Sequence, residues 1–234
     1  MLKRMSLFAL LTICFLSTAT VCLANDDARE AIRRGNSKVA REQYEEAIKE
    51  YRRVQKPSGE LYATARYNIG VCNYELFRSD EAMTEYSAAI EARRGRYPKA
   101  LYALGVVLED LKRWAEAGKA YQQANDISNG TYLEAHFRLG LVAFQMGNYE
   151  KASSLFREAI KRSKDHFPAS HNNLGVALAL LGHFSDAERE FEIALEQSSS
   201  KYDDAVYNLA LCRSRLSSAR SEPLALTMSD LTTR

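Results

Sequence analysis

The side chains of this sequence that could carry acid–base or metal chemistry are few and widely spaced. The four histidines are His136, His166, His171 and His183. His136 and His171 stand 35 residues apart, but the same spacing leads to Leu101 and Val206 on either side, so the position suits a packing residue. A zinc site needs three or four converging ligands, and the sequence has no glycine-rich phosphate loop or nucleophile elbow. We therefore expect no catalytic centre, metal or cofactor.

The cysteines do not form a redox pair in our interpretation. Two of the four lie in an N-terminal leader, which leaves Cys72 and Cys212, 140 residues apart. The repeat described below gives both the same buried position, four repeats from each other. Neighbouring helices pack about 8–10 Å apart, so this separation is beyond the reach of a disulfide. We expect two small core residues that bind no metal.

A different set of residues could bind a polypeptide. Aromatic residues followed directly by a polar residue recur along the chain, as in Tyr67-Asn68 and Tyr207-Asn208. An Asn amide offers one acceptor and two donors, which suits a peptide main chain whatever its sequence. An aromatic ring adds rigid apolar area, and an Arg guanidinium at such a position could take a carboxylate. The use of these side chains depends on the elements that carry them.

The elements follow a period of 35 residues. One repeat position, which we call the glycine column, is occupied by Gly35, Gly70, Gly105, Gly140 and Gly175, and Ala210 stands at the same position of the next repeat. We refer to such a repeat position as a beat. Three more columns share this phase: an alanine column (Ala47, Ala82, Ala117, Ala152, Ala187), an aromatic column (Tyr51, Tyr86, Tyr121, Phe156, Phe191) and a small column (Val54, Ala89, Ala124, Ala159, Ala194). A fixed period of this length indicates an array in which each unit packs on its neighbours.

Each unit has the pattern of two amphipathic helices. Leu101, Leu104 and Leu108 show the helical spacing of a first helix, and no alternating strand pattern occurs in the sequence. Gly147 and Gly182 mark turns between helices. We predict that the glycine of the first helix faces the alanine of the second, so that the backbones approach closely. The aromatic four residues later is expected to fill the gap beneath.

The order Leu104-Gly105, Trp114, Ala117 and its repeats resembles the tetratricopeptide repeat over about residues 28 to 217. The resemblance implies an all-α fold, a right-handed superhelical solenoid of five helix pairs with a C-terminal capping helix. The expected units span about 28–62, 63–97, 98–132, 133–167 and 168–202, followed by a cap helix over 203–217 and a flexible tail over 218–234. The period exceeds the commonest one of this family, and Arg34 replaces the Ile or Leu of the other units.

The resemblance also implies a concave groove lined by the first helices. It places the residues two and three before each glycine in that groove. The candidate peptide-binding residues are Arg33, Tyr67, Asn68, Tyr102, Phe137, Arg138, Asn172, Asn173, Tyr207 and Asn208. The competing interpretation is that the aromatics pack on neighbouring helices. Some family members hold a C-terminal carboxylate with Lys and Asn at defined positions, but only Asn36 matches here, so that ligand is not expected.

Residues 1–24 are typical of a secretory signal peptide. Lys3 and Arg4 precede an apolar stretch of about ten residues, and the chain becomes polar after Ala24, where cleavage is expected. The alternative is an uncleaved membrane anchor, because Met5 to Leu23 is nearly long enough to span a bilayer. Lys plus Arg totals 32 and Asp plus Glu totals 30, so removal of the two leader cations leaves 30 of each. This balance indicates no nucleic-acid partner.

These observations predict a monomeric, non-enzymatic scaffold in the periplasm or secretory space that binds a peptide segment of a partner protein. The alternative is a self-assembling structural protein of the envelope, which the polar last helix with Arg213 and Arg215 disfavours. An enzyme or cofactor carrier is disfavoured by the lack of a motif. The glycosylation sequon at Asn129 would matter only in a eukaryotic secretory pathway.

Overall fold

The computed structural model describes residues 25–199, 201–217 and 226–228. The predicted leader and most of the predicted tail lie outside these residues. The described residues contain helices and turns and no strand. The prediction of an all-α fold is therefore confirmed.

The described residues form eleven α-helices joined by short turns. The first, α1, covers 25–39. The others are α2 (Tyr44–Tyr51), α3 (Glu60–Glu75), α4 (Ser79–Ala92), α5 (Pro98–Asp110), α6 (Trp114–Ile127), α7 (Leu133–Gln145), α8 (Tyr149–Arg162), α9 (Pro168–Leu180), α10 (Phe184–Gln197) and α11 (Asp203–Ser217). Pro98 and Pro168 begin their helices, where a missing N–H costs nothing because first-turn donors have no helical partner.

The chain divides into two compact units at Val107 and Leu108, within α5. Unit 1 contains α1 to α4 and most of α5. Unit 2 contains the end of α5, α6 to α11 and residues 226–228. Each unit has buried apolar clusters of its own.

Unit 1 packs its aromatic column against its glycine column. Ala47 and Ala82 have no exposed surface, and Tyr51 and Tyr86 are each 2% exposed. A Cβ atom added to Gly70 would lie 2.6 Å from the Tyr86 ring, well inside van der Waals contact. A larger residue at this beat must therefore displace a buried ring.

Unit 2 repeats this arrangement with phenylalanine. Phe156 and Phe191 are fully buried, and a Cβ atom on Gly140 or Gly175 would lie 2.6 Å from the nearest atom of the ring concerned. The nearest neighbours of each glycine are thus ring atoms. The expectation that the aromatic residue fills the space beside the glycine is therefore confirmed.

Helix α9 is enclosed over most of its length, since every residue from 170 to 179 is buried. The loop before it is fastened by Gln197, whose Oε1 accepts from the Phe167 N–H at 2.9 Å and whose Nε2 donates to the Asp165 carbonyl. The enclosed stretch includes Asn172 and Asn173. Buried amides need polar partners, so the surroundings of these two residues decide what this part of unit 2 can bind.

The two cysteines of the described residues are free thiols with no exposed surface. Cys72 lies in the core of unit 1 and Cys212 in the core of unit 2. Burial raises the pKa of Cys72 to about 11 and raises the pKa of Cys212 in the same direction. The prediction of two core thiols is confirmed.

The turn after each first helix places one residue in the left-handed region at the same repeat beat. The beat is occupied by Glu42, Phe77, Lys112, Gly147 and Gly182, with φ from 56° to 83°. Glycine adopts this conformation freely, whereas the conformation costs other residues about 1–2 kcal/mol. Phe77 adopts this conformation although it is 94% exposed, so packing offers little compensation.

Candidate functional site

Arg33 lies on the exposed face of α1 and already holds a carboxylate. Its guanidinium donates two hydrogen bonds of 2.7 Å to Glu30, one turn earlier on the same helix. These bonds lower the pKa of Glu30. The sequence suggested that Arg33 could take a carboxylate of a partner, but the structure supplies one from its own chain.

Tyr67 belongs to an aromatic cluster in unit 1. Its ring centroid lies 5.6 Å from that of Tyr86 and 5.7 Å from that of Tyr97, and the Lys99 ammonium lies 5.0 Å from it. Burial raises the pKa of Tyr67 to about 12, and the nearby Tyr97 and Tyr102 hydroxyls add to this shift. Tyr102 is also partly buried. For Tyr67, the interpretation that the aromatics pack on their neighbours describes what is seen.

Asn68 borders a small open cavity in unit 1. The cavity has a volume of about 170 Å³ and is also lined by Asn36, Val39, Tyr51 and Val71. The Asn68 Nδ2 donates to Asn36 Oδ1 at 3.4 Å, and the Tyr51 hydroxyl donates to the same oxygen at 2.7 Å. Unit 1 therefore presents a partly exposed amide at the predicted beat.

Phe137 in unit 2 occupies the same repeat position as Tyr67, three residues before the glycine, but it is fully buried. Its ring centroid lies 5.8 Å from that of Phe156 and 5.1 Å from that of Phe167. As observed, Phe137 offers no free surface to another chain, which corrects the expectation of a groove aromatic here. The physical reason is that two rings of the same unit lie within reach and bury it.

Arg138 is also committed within unit 2. Its Nη1 lies 3.2 Å from Glu109 Oε1, and the Tyr121 hydroxyl donates to the other carboxylate oxygen at 2.7 Å. The Arg138 and Glu109 side chains are only 13% and 16% exposed. Like Arg33, Arg138 holds a carboxylate of its own chain, here one that ties α7 to the end of α5.

Asn208 on α11 grips the main chain of Thr227. The Asn208 Nδ2 donates to the Thr227 carbonyl at 2.7 Å, and the Thr227 N–H donates to Asn208 Oδ1 at 2.7 Å. Asn208 has no exposed surface. One side-chain amide thus pairs with both polar groups of one peptide residue, as an adjacent strand would in a sheet.

Asn172 on α9 completes this contact. Its Nδ2 donates to the Thr227 carbonyl at 3.1 Å and to Asn173 Oδ1 at 3.2 Å, while its Oδ1 accepts from Asn208 Nδ2 at 2.9 Å. Both protons of each amide nitrogen, Asn172 and Asn208, are therefore used. We call these two residues the amide clamp. Asn173, which the sequence grouped with them, supports the clamp and is itself fully buried.

Residues 226–228 lie across the clamp with alternating burial. Leu226 and Met228 are partly buried and pack against the apolar cluster of unit 2, whereas Thr227 is exposed. Alternation with a period of two is the signature of an extended chain, in which neighbouring side chains point to opposite sides. Tyr207, the last candidate residue, is 49% exposed beside the clamp residue Asn208.

Sequence reasoning missed the segment that fills the site. Residues 226–228 fall in the predicted flexible tail, which has no sustained period, so the columns gave no reason to place it anywhere. The only available signal was the pair of apolar residues, Leu226 and Met228, on either side of Thr227. The sequence also missed the bond of 2.7 Å between His171 Nδ1 and Glu190, which gives that buried histidine a polar partner.

Within residues 25–199, 201–217 and 226–228, no three His, Cys, Asp or Glu side chains are grouped so as to hold a metal ion. Among the same residues, each helix is too short or too polar to cross a bilayer.

Several solved structures share this fold. The MamA protein matches with a TM-score of 0.66 and 23% identity, over 75% of this chain and 94% of that chain. YrrB, described as a TPR protein with an unusual peptide-binding site, matches with a TM-score of 0.66 and 22% identity, over 83% and 97%. PilF of Pseudomonas aeruginosa matches with a TM-score of 0.67 and 18% identity, over 83% and 86%.

Family models cover most of the helical region. One model described as tetratricopeptide repeat matches residues 25–97 and 137–199, and a second with the same description matches residues 96–165. A comparison with curated proteins gave no significant match. Together with the helix pairs, the repeating columns and the solved structures of the same fold, these matches establish that the chain belongs to the tetratricopeptide repeat family.

Proposed function

We propose that this protein is a non-enzymatic scaffold that binds an extended segment of a partner protein across α9 and α11. Tetratricopeptide proteins bind peptides or other proteins, and such scaffolds are in general not enzymes. The observation that carries the proposal is the amide clamp, in which Asn208 and Asn172 hold the N–H and C=O of Thr227. Such a contact recognises a main chain and leaves the sequence open.

The clamp alone supports only modest affinity. A hydrogen bond exchanged with water contributes about 1 kcal/mol net, so three bonds contribute about 3 kcal/mol. Ordering each residue of a flexible segment costs about 1–2 kcal/mol. The remaining free energy must come from apolar side chains that pack beside the clamp, where Leu226 and Met228 now lie. A useful partner segment is therefore apolar as well as extended.

A site-specific crosslink tests the proposal. We suggest replacing the half-exposed Tyr207 by a photoreactive phenylalanine in the full chain and mapping the crosslinked residues by mass spectrometry in cells that make the protein. We expect crosslinks to one extended segment of a different protein. The double variant Asn172→Ala, Asn208→Ala should lose them, and Asn68→Ala, a change at the same beat in unit 1, should keep them. Crosslinks that survive the double variant, or that join only copies of this chain, would contradict the proposal.

We also propose that the scaffold works outside the cytoplasm. The support is the sequence of the leader, with Lys3 and Arg4 before an apolar stretch and a polar start after Ala24. The test is N-terminal sequencing of the protein recovered from cells. A mature chain that begins at Asn25 agrees with export by cleavage, and a chain that retains residues 1–24 in the soluble cytoplasmic fraction contradicts it.

A further inference from the structure

We propose that Leu226–Met228 is a built-in competitor for the amide clamp, and that the partner which displaces it presents an extended segment with an apolar side chain on each side of a residue whose own side chain is not recognised. This inference rests on the proposed function and deepens it. It assigns the site a preference for apolar flanking side chains and a segment of the same chain that regulates access to it.

Competition follows from the way the clamp is occupied. Asn172 and Asn208 have no exposed surface while residues 226–228, which we call the docked tail, are in place. Each of the two residues uses both protons of its amide nitrogen. Asn208 Oδ1 accepts the Thr227 N–H. A second main chain therefore cannot reach these atoms until Thr227 leaves. The tail and a partner segment exclude each other.

The preference follows from which side chains face the protein. Leu226 and Met228 are partly buried against the apolar cluster of unit 2, whereas the Thr227 side chain is exposed. The side chains on either side of the clamped residue therefore contribute apolar burial. The clamped residue contributes its main chain alone. A segment that places charged residues at both flanking positions would lose this burial and pay for desolvation.

The length of the connection makes the tail an effective competitor and a reversible one. Residues 218–225 separate the end of α11 from Leu226. A tether this short holds the tail at an effective concentration on the order of millimolar. The docked segment is nevertheless short, and its three hydrogen bonds and two partial burials are opposed by the entropy of ordering it. A free segment must overcome the tether, so we expect the docked tail to weaken its binding about tenfold.

Fluorescence anisotropy of a labelled peptide tests the competition. The probe has the sequence of residues 220–234 and is titrated with the full chain. Thr227→Pro in the protein removes the N–H that Asn208 accepts, and we expect this variant to bind the probe about tenfold more tightly than the wild type. Thr227→Val keeps the N–H and should bind like the wild type. Equal affinity for wild type and Thr227→Pro would overturn the proposal.

A second way of releasing the tail guards against an indirect effect of proline. Leu226→Asp with Met228→Asp in the full chain leaves the main chain intact and should also strengthen probe binding. Adding Asn208→Ala to the Thr227→Pro protein should abolish the gain, because the freed clamp is then incomplete. A gain that persists without Asn208 would place the probe elsewhere and overturn the proposal.

Variants of the probe test the preference. A probe carrying Leu226→Asp and Met228→Asp should lose binding to the Thr227→Pro protein, whereas a probe carrying Thr227→Gln should keep it. The reverse order would show that the central side chain is recognised and would overturn the chemical assignment. The two proposals can fail separately. If crosslinks at Tyr207 depend on the clamp but Thr227→Pro changes nothing, the scaffold function stands and the competitor does not.

Discussion

The two units use the same repeat beats in different ways. In unit 1 the position two residues before the glycine is occupied by Asn68, which borders an open cavity and donates to Asn36 at 3.4 Å. In unit 2 the same beat carries Asn208, which is fully buried and holds Thr227 through two bonds of 2.7 Å. The repeat therefore sets where an amide lies. The neighbouring side chains and the tail decide whether it is engaged.

The position three residues before the glycine also depends on its neighbouring side chains. Tyr67 in unit 1 and Phe137 in unit 2 both pack among aromatic rings of their own unit, whereas Asn172 at this beat faces the main chain of the tail. Ring neighbours are available to the first two residues, so both pack against their own unit, Phe137 completely and Tyr67 in part. An amide gains nothing from apolar burial and instead takes part in the polar network.

The largest effect we expect is on the packing of a buried ring against the glycine column, which both units share. Gly70→Ala in unit 1 and Gly175→Ala in unit 2 each place a Cβ atom 2.6 Å from a buried ring, so each should lower the free energy of unfolding by about 3 kcal/mol. The matched control is Gly118→Ala in α6, where the nearest atom would be Val142 Cγ1 at 3.3 Å. The gain in helix propensity, about 1 kcal/mol, should offset the shift of a few tenths of an ångström that Val142 must make, so we expect this change to be close to neutral. Chemical denaturation measures all three, and equal losses at Gly118 and Gly175 would contradict the packing described.

Thiol reactivity compares the two cores directly. Cys72 and Cys212 share a repeat beat, and burial raises the pKa of both, that of Cys72 to about 11. Below its raised pKa a thiol stays protonated, so at pH 8 we expect Cys72 to be labelled about a hundredfold more slowly than in the denatured chain. Cys212 should react before Cys72, since terminal helices open most easily. Timed alkylation followed by mass spectrometry measures both rates, and rapid labelling of Cys72 in the native protein would show that its core is open.

Removing the side-chain amide of Asn208 or of Asn68 tests the difference between the units. Asn208→Ala should lower the free energy of unfolding by about 1 kcal/mol, because the loss of its hydrogen bonds is partly offset by release of the tail to water. Asn68→Ala should cost about half as much or less, since Asn68 is partly exposed and its bond to Asn36 is long. Denaturant titrations of both variants supply the comparison. A larger loss at Asn68 would reverse the assignment of the engaged amide.

The smallest effect concerns the turn beat that both units share. Phe77 has φ 58° and is 94% exposed, whereas the equivalent residues in unit 2 include Gly147 and Gly182. Phe77→Gly should therefore stabilise the protein by about 0.5 kcal/mol, because relief of the left-handed conformation is partly offset by the larger entropy of glycine in the unfolded chain. Gly147→Ala should destabilise it by a similar amount. Thermal unfolding of the two variants would show shifts in opposite directions, and shifts of the same sign would contradict the account of this turn.

The sequence predicted the fold well because the repeat places equivalent side chains in equivalent surroundings. The burial of Tyr51, Phe156 and the two thiols follows from periodicity alone. The site was harder to predict. Phase brought Asn172, Asn173 and Asn208 together but could not show that Arg138 pairs with Glu109 or that Phe137 is buried, because those outcomes depend on residues outside the columns. The occupant of the clamp comes from a segment without any period.

The central claim is that the clamp in unit 2 holds an extended main chain, and the exchange rate of one amide proton tests it most directly. Thr227 donates its N–H to Asn208, so in the full chain we expect this proton to exchange on the order of tenfold more slowly than in a peptide of residues 220–234. Nuclear magnetic resonance of the wild type, Asn208→Ala and Asn68→Ala measures the rate. The account predicts that protection is lost in Asn208→Ala and kept in Asn68→Ala. An unprotected Thr227 in the wild type, or protection that Asn208→Ala leaves unchanged, would contradict it.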